Sequence, residues 1–319
     1  MTRGKLQTGL LSFFVFFMFM PIATIHVSAA SERLIPMGHS IGIEMELDGV
    51  FFTNDVMPEK DIWLKSGDRL QQIAGRDVKN LQQLESVLKK RSEDGKITLQ
   101  LLRGKEQIVY EFELPVLQQI IPFLKDRTEG NGTLTYVDPE KKTYGALGHQ
   151  IIDSSFNAPP QFETGAIYMS TIDQIKKSSP GNPGYKISTI IAEHGLLGDI
   201  RQNSVYGIFG QWVYEGNELL SAPIEVLTPH ELKIGPAEIR TTVTGSKVER
   251  FSIEITQIDE EQFHFTLNDV DLVSKTGGIL QGMSGSPILQ NGKFAGAITH
   301  MFVDEPEKGA ALFLTTMQQ

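Results

Sequence analysis

GGILQGMSGSPILQNGKFAGAITH, residues 277–300, is the stretch on which the reading of this chain turns. Apolar runs on both sides of Gly-Met-Ser-Gly-Ser-Pro read as strands joined by a turn, with glycines at 282 and 285 flanking Ser284. A serine nucleophile needs its Oγ presented at a sharp turn, with backbone N–H groups aimed at the developing oxyanion. Glycine permits that close approach. Gly282 and Ser284 are therefore the candidate oxyanion donors, and Ser284 is the candidate nucleophile. Ser286 competes for the role, but Pro287 ties it to the following strand.

The same rhythm extends outward from this segment. TLTYV, TYGALG, GAIYMSTI, YKISTIIA, VYGIFG, AEIRTTVTG, FSIEITQI, FHFTLND and AALFLT are short apolar runs spaced by Gly, Pro, Asn and Asp. About twelve short strands over residues 133–319 predict an all-β barrel or sandwich. Residues 34–115 form a different unit. SIGIEMEL and DGVFFTND alternate with period two, and KSGDRLQQIAGRDV reads as a short strand between two turns, the second at Ala74-Gly75. Leu81, Leu84, Val87 and Leu88 recur at helical spacing between Asn80, the N-cap, and Lys89-Lys90-Arg91. ITLQLLR and QIVYEFEL then form a hairpin through Gly104-Lys105. VLQQIIPFLKDRTEGNG, residues 116–132, is the expected connection.

The first thirty residues stand apart. Arg3 and Lys5 precede an apolar run, and VSAAS follows, the order of a signal peptide or an uncleaved anchor. The run spans about sixteen residues, fewer than the ~20 that cross a bilayer comfortably. The expectation is export. The chain carries 39 acidic and 29 basic residues, a net charge of −10, which argues against wholesale nucleic-acid binding. It has no cysteine, which excludes disulfides, thiolate nucleophiles and cysteine-held metals and suits a bacterial extracytoplasmic protein. No metal or organic cofactor is expected.

An activated serine requires a base. Of seven histidines, His26 lies in the leader, His39 in the first unit, His194 and His230 in turn-like contexts, and His264 alternates with Phe263 and Phe265 on a strand. His149 follows an apolar strand and a glycine, a strand-end position that suits the base better than His300, which lies sixteen residues beyond Ser284. For the carboxylate that orients the ring, Asp153 is too local to His149. Asp269 and Asp271 alternate on an expected strand, so only one of them faces the site.

The order of elements in residues 34–115 resembles a PDZ domain. Ser40-Ile41-Gly42-Ile43 stands in place of the carboxylate-binding loop and SGDRLQQIAG in place of the usual GD…I…NG stretch. Ser40 is usually Gly in that family, and Ala74 usually Asn. The likeness implies a groove that takes an extended peptide by strand addition. GMSGSP resembles GDSGGP of the chymotrypsin-like serine peptidases. Taken with YGALGHQI, GAIYMSTIDQIKKSSPGNPGYKI, SVYGIFG and VTGSKVERFSIEI, nearly the whole mature chain resembles the SpoIVB peptidases of endospore-forming bacteria. That resemblance implies a mixed α+β PDZ domain followed by an all-β chymotrypsin-like double barrel. It also implies a triad of His149, Asp269 and Ser284. Gln150 stands where the family commonly has glycine.

Such peptidases are exported from the forespore into the space between its two membranes. They cleave themselves near the N-terminus, then cleave a membrane-bound regulator of an intramembrane protease, and a late sigma factor is processed. The expected partners are thus a protein substrate and the chain's own N-terminal region. The rival expectation is a non-catalytic PDZ-containing scaffold, arising if Gln150 displaces the base.

Overall fold

A computed structural model of the protein describes residues 32–319 except 91–94 and 192–194. The expected leader, with His26, and His194 lie outside the described residues. Strand β1 (Arg33–Pro36) leads through His39 into the thirteen-residue β2 (Ser40–Phe52). A small lobe follows: β3 (Val56–Glu59), β4 (Ile62–Leu64), β5 (Arg69–Ile73), β6 (Arg76–Asp77), α1 (Leu81–Leu88), β7 (Lys96–Arg103), β8 (Glu106–Glu113) and α2 (Leu114–Ile120). Helix α1 begins where its sequence says it should, since the Asn80 side chain accepts from Gln83 N–H at 2.9 Å. Its Leu84, Val87 and Leu88 face a core shared with Phe52, Leu70, Leu99 and Phe112.

The larger part holds β9 (Leu124–Asp138), β10 (Thr143–Ala146), β11 (Phe162–Lys176), β12 (Gly184–Ile190), β13 (Leu196–Asp199), β14 (Gln202–Ser204), β15 (Gly207–Gln211) and β16 (Ile224–Glu225). These form a half-barrel around Ile41, Ile43, Met45, Leu134, Ile167 and Leu197. Then come β17 (Gly235–Thr242), β18 (Val248–Ile258), β19 (Gln262–Leu267), α3 (Val270–Thr276), β20 (Leu280–Gln281), β21 (Pro287–Gln290), β22 (Lys293–Phe302), β23 (Glu305–Phe313) and α4 (Leu314–Met317). The strands β17-β18-β19-β23-β22-β21 close into a barrel. Period two explains its filling. Ile253 and Ile255, and Phe263, Phe265 and Leu267, are buried, while intervening residues such as Glu254, His264 and Thr266 are not. Burying each such side chain contributes about 1.5–3 kcal/mol.

Two expectations change here. Ser40, Ile41, Gly42 and Ile43 are not a peptide-binding loop: they open β2, and both edges of that strand are taken. Ile43 pairs Gly130 of β9 on one side and Ile167 of β11 on the other. All four residues are buried, so no edge is left for strand addition. The stretch 116–132 is likewise no simple connection. It comprises most of α2, a short 3₁₀ turn (Ile121–Phe123) and the first half of β9. β9 runs along β2, and its Asp126 carboxylate accepts from Leu81 N–H at 2.8 Å, in the first turn of α1. β2 and β9 therefore each belong to the lobe at one end and to the half-barrel at the other.

Candidate active site

The turn that carries Ser284 is shaped by two glycines. Gly282 and Gly285 have φ of +94° and +92°, conformations that L side chains rarely adopt. At Gly285 space is also lacking, because a Cβ there would lie 2.2 Å from Thr133 O and 2.5 Å from Leu147 N. The turn is thus pressed against the half-barrel. Thr133 N–H donates to Ser284 O at 3.1 Å, and Gly285 N–H donates to Ile298 O at 2.7 Å. The N–H groups of Gly282 and Ser284 have no hydrogen-bond partner among the described residues. The Ser284 hydroxyl, half-buried, donates to Thr299 O at 3.1 Å.

His149 reaches the same place from the other side. β10 is followed directly by Leu147 and Gly148, both left-handed at φ +72° and +71°. For leucine this costs about 1–3 kcal/mol. The turn is pinned by Leu147 N–H donating to Thr133 O at 3.2 Å, and it delivers the His149 ring to the strand end. His149, Ser284, Gly282, Asn131 and His300 line one cleft of about 420 Å³. An adjoining hollow of about 640 Å³ shares His149, His300 and Asn131 and continues to Lys125 and Asp153.

The His149 Nδ1 lies 2.9 Å from its neighbour's main-chain carbonyl, Gln150 O. A carbonyl only accepts, so Nδ1 carries a proton, and in the neutral ring the lone pair is on Nε2, the tautomer a general base needs. The Gln150 side chain turns aside and donates to Asn203 O at 3.2 Å. His300 stands next to His149, ring centroids 5.8 Å apart. Burial, and then His149, holds the His300 imidazole below its ordinary pKa.

The expected carboxylate is not with them. Asp269 is the N-cap of α3: Oδ1 accepts from Leu272 N–H at 3.0 Å, and Oδ2 from Ser252 N–H at 3.3 Å. Asp271 is exposed in the first turn of that helix, which replaces the strand expected there. Among the described residues no carboxylate lies within 4 Å of a His149 ring nitrogen. Asp153 is engaged elsewhere. Its burial opposes ionisation, but donors from Lys125 (2.6 Å), Thr128 and Ser155 N–H (2.8 Å) hold its carboxyl below the usual range. Ser286 is fully buried and donates to Thr241 Oγ1 at 2.9 Å, which removes it as a nucleophile.

Two residues at the turn carry no sequence signal of their own. Thr133 Oγ1 donates to Gly282 O at 2.8 Å. Lys186, on the inward face of β12 and only 3% exposed, donates to the same carbonyl at 3.3 Å and to Thr241 Oγ1 at 3.2 Å. Burial lowers the Lys186 pKa to about 7.

The Ser284 turn, two unpartnered N–H groups and the His149 imidazole share one cleft. The family comparison agrees, since residues 118–318 match the model described as SpoIVB peptidase S55. The chain belongs to this family. The peptidase is accordingly a serine peptidase, a hydrolase of peptide bonds whose substrates are proteins. Among solved structures it is similar to the Rv3671c protease in an inactive form, at 13% identity and TM-score 0.35, covering 59% of this chain and 81% of that one. It is similar also to the active form of Rv3671c from M. tuberculosis, at 14% identity and TM-score 0.35, covering 60% and 72%. No curated protein matches the chain.

Proposed function

We propose that the peptidase is an endopeptidase in which Ser284 Oγ attacks the scissile carbonyl. His149 Nε2 takes the hydroxyl proton and returns it to the leaving amine. Gly282 and Ser284 N–H receive the oxyanion, and water then resolves the acyl-enzyme. The observation that carries this is the meeting of Ser284, the two free N–H groups and the Nδ1-protonated His149 in one cleft. The Ser284 hydroxyl turns from Thr299 O toward the imidazole when substrate enters, as catalytic hydrogen bonds often form only in the loaded site. Asp269 has no part in this scheme.

The closed barrel beside a half-barrel, with the site at strand ends, supports a chymotrypsin-like double barrel. The small lobe, with its helix and hairpin order, supports a PDZ-like module whose groove edge on β2 is filled by the chain's own β9. The leader sequence and the family likeness support export in a sporulating cell, self-cleavage near the N-terminus and cleavage of a membrane-bound regulator. A fluorophosphonate probe tests the chemistry. Wild type is expected to label, and Ser284→Ala and His149→Ala are not. Labelling that survives Ser284→Ala defeats the assignment.

A further inference from the structure

Lys186 is a buried amine that the scheme above does not use. Its two partners, Gly282 O and Thr241 Oγ1, are both neutral, and among the described residues no carboxylate lies within 4 Å of its Nζ. Taking an ammonium out of water without a counter-charge is unfavourable, and methionine would fill the same space without that cost. An amine here therefore works against stability, and its contacts indicate what it does instead. Gly282 is the residue whose N–H is a candidate oxyanion donor, and its φ of +94° lies where glycine is mobile. Its carbonyl is gripped from two sides, by Thr133 Oγ1 of β9 and by Lys186 Nζ of β12. Thr133 N–H also holds Ser284 O, two residues further along the turn. Fixing these carbonyls fixes the 282–283 and 284–285 peptide planes; the plane that carries the Ser284 N–H hangs between them, and the plane that carries the Gly282 N–H adjoins the first.

We infer that Lys186 and Thr133 form a clamp on the Gly282 carbonyl that aims the oxyanion donors, Lys186 being a positioning residue that never touches substrate. This rests on the reading of Ser284 as the nucleophile. The clamp draws on both barrel parts. β9 and β12 belong to the half-barrel, and Thr241, which also accepts from the amine, is the second-to-last residue of β17 in the closed barrel. Donor geometry is thus tied to the seating of one part against the other.

The test uses the full-length chain in detergent, a fluorophosphonate probe, and thermal unfolding of the same samples. Lys186→Met is expected to slow Ser284 labelling about 10–100-fold, the scale on which misaimed catalytic groups act, while melting at or above the wild-type temperature. Lys186→Gln, which keeps a neutral donor, is expected to label faster than Lys186→Met. A residue serving only the fold would lose stability and labelling together, so the opposite movement of the two readouts carries the inference. Wild-type labelling in Lys186→Met overturns the clamp, as does a loss that tracks a lowered melting temperature. Should Lys186→Met not fold, Thr133→Val against Thr133→Ser decides on the same readouts: slowed labelling in the first and near-normal labelling in the second support the clamp, and equal rates overturn it. Failure of the parent reading is distinct, because Ser284→Ala would then label like wild type.

Discussion

Replacing Gly285 by alanine tests how tightly the Ser284 turn is held against the half-barrel. The added Cβ would meet Thr133 O at 2.2 Å, Leu147 N at 2.5 Å and Leu147 Cα at 2.9 Å, all backbone atoms that no rotamer change can move aside. Reaching ordinary contact requires the strand end to retreat by about 1 Å. That displacement breaks or stretches Thr133 N–H to Ser284 O and Leu147 N–H to Thr133 O, each worth about 1 kcal/mol. A non-glycine residue at φ +92° adds about 1–3 kcal/mol. The sum is about 3–5 kcal/mol. Gly292→Ala is the control: its φ is +76°, but nothing lies within 4 Å of the new Cβ, so only the strain of about 1 kcal/mol remains. Urea denaturation monitored by tryptophan fluorescence compares the two midpoints, and fluorophosphonate labelling follows Ser284. Gly285→Ala should be the less stable by about 2–4 kcal/mol and should label slowly, because the same contacts position Ser284 and the His149 turn. If both variants unfold together and label alike, the turn is not braced as described.

Asp269→Asn should label within a few-fold of wild type, because asparagine also caps a helix and neither residue meets His149. Asp269→Ala should lose about 1 kcal/mol of stability with the cap. Labelling abolished in a folded Asp269→Asn would restore that residue to the base. His300→Ala should likewise keep labelling at a measurable rate, and complete loss with the fold intact would make His300 the base instead. Lys186 gives a pH signature. Its pKa is about 7 folded against about 10.4 unfolded, so between these values the unfolded chain binds the extra proton and stability rises with pH. The stability of wild type relative to Lys186→Met should therefore improve from pH 7 to pH 10, by at most about 1.4 kcal/mol per pH unit. A flat difference would mean that the amine stays charged in the fold.

The parts of this molecule that can be read from sequence are those governed by local periodicity. FSIEITQI and FHFTL alternate and line the closed barrel, and Asn80 caps α1 ahead of an i, i+3, i+4 apolar stripe. The first half of β9 is hidden because KDRTEGNG is polar and glycine-containing, whereas TLTYV in its second half reads as a strand. It is extended because β2 lies alongside and supplies ladder partners from Ser40 to Phe52, a non-local cause that no window of its own residues reports. The same pairing removes the expected groove, since the segment that reads as a connection occupies the strand edge. Asp269 is a different kind of miss. Asn268-Asp269 before Val270 and Gly277-Gly278 after Thr276 are ordinary helix start and stop signals, overridden by an apparent alternation of aspartates. Thr133 and Lys186 are legible only as strand residues, since their meeting at Gly282 joins positions 149 and 96 residues away.

A carboxylate beside a catalytic histidine does two separable things: it selects the tautomer, and it stabilises the imidazolium that forms. With His149 as the proposed base, Gln150 O does the first and, being neutral, contributes little to the second. This also decides what the Gln150 side chain means. The acceptor is main-chain and the side-chain amide is occupied with Asn203 O, so the side chain does not displace the ring. Gln150→Gly should therefore keep the Nδ1 hydrogen bond and label within a few-fold of wild type. It should lose about 1–2 kcal/mol of stability, from one hydrogen bond and the added freedom of glycine. A collapse of labelling in a folded Gln150→Gly would show that the amide, not the carbonyl, holds the base, and the tautomer argument would fail with it.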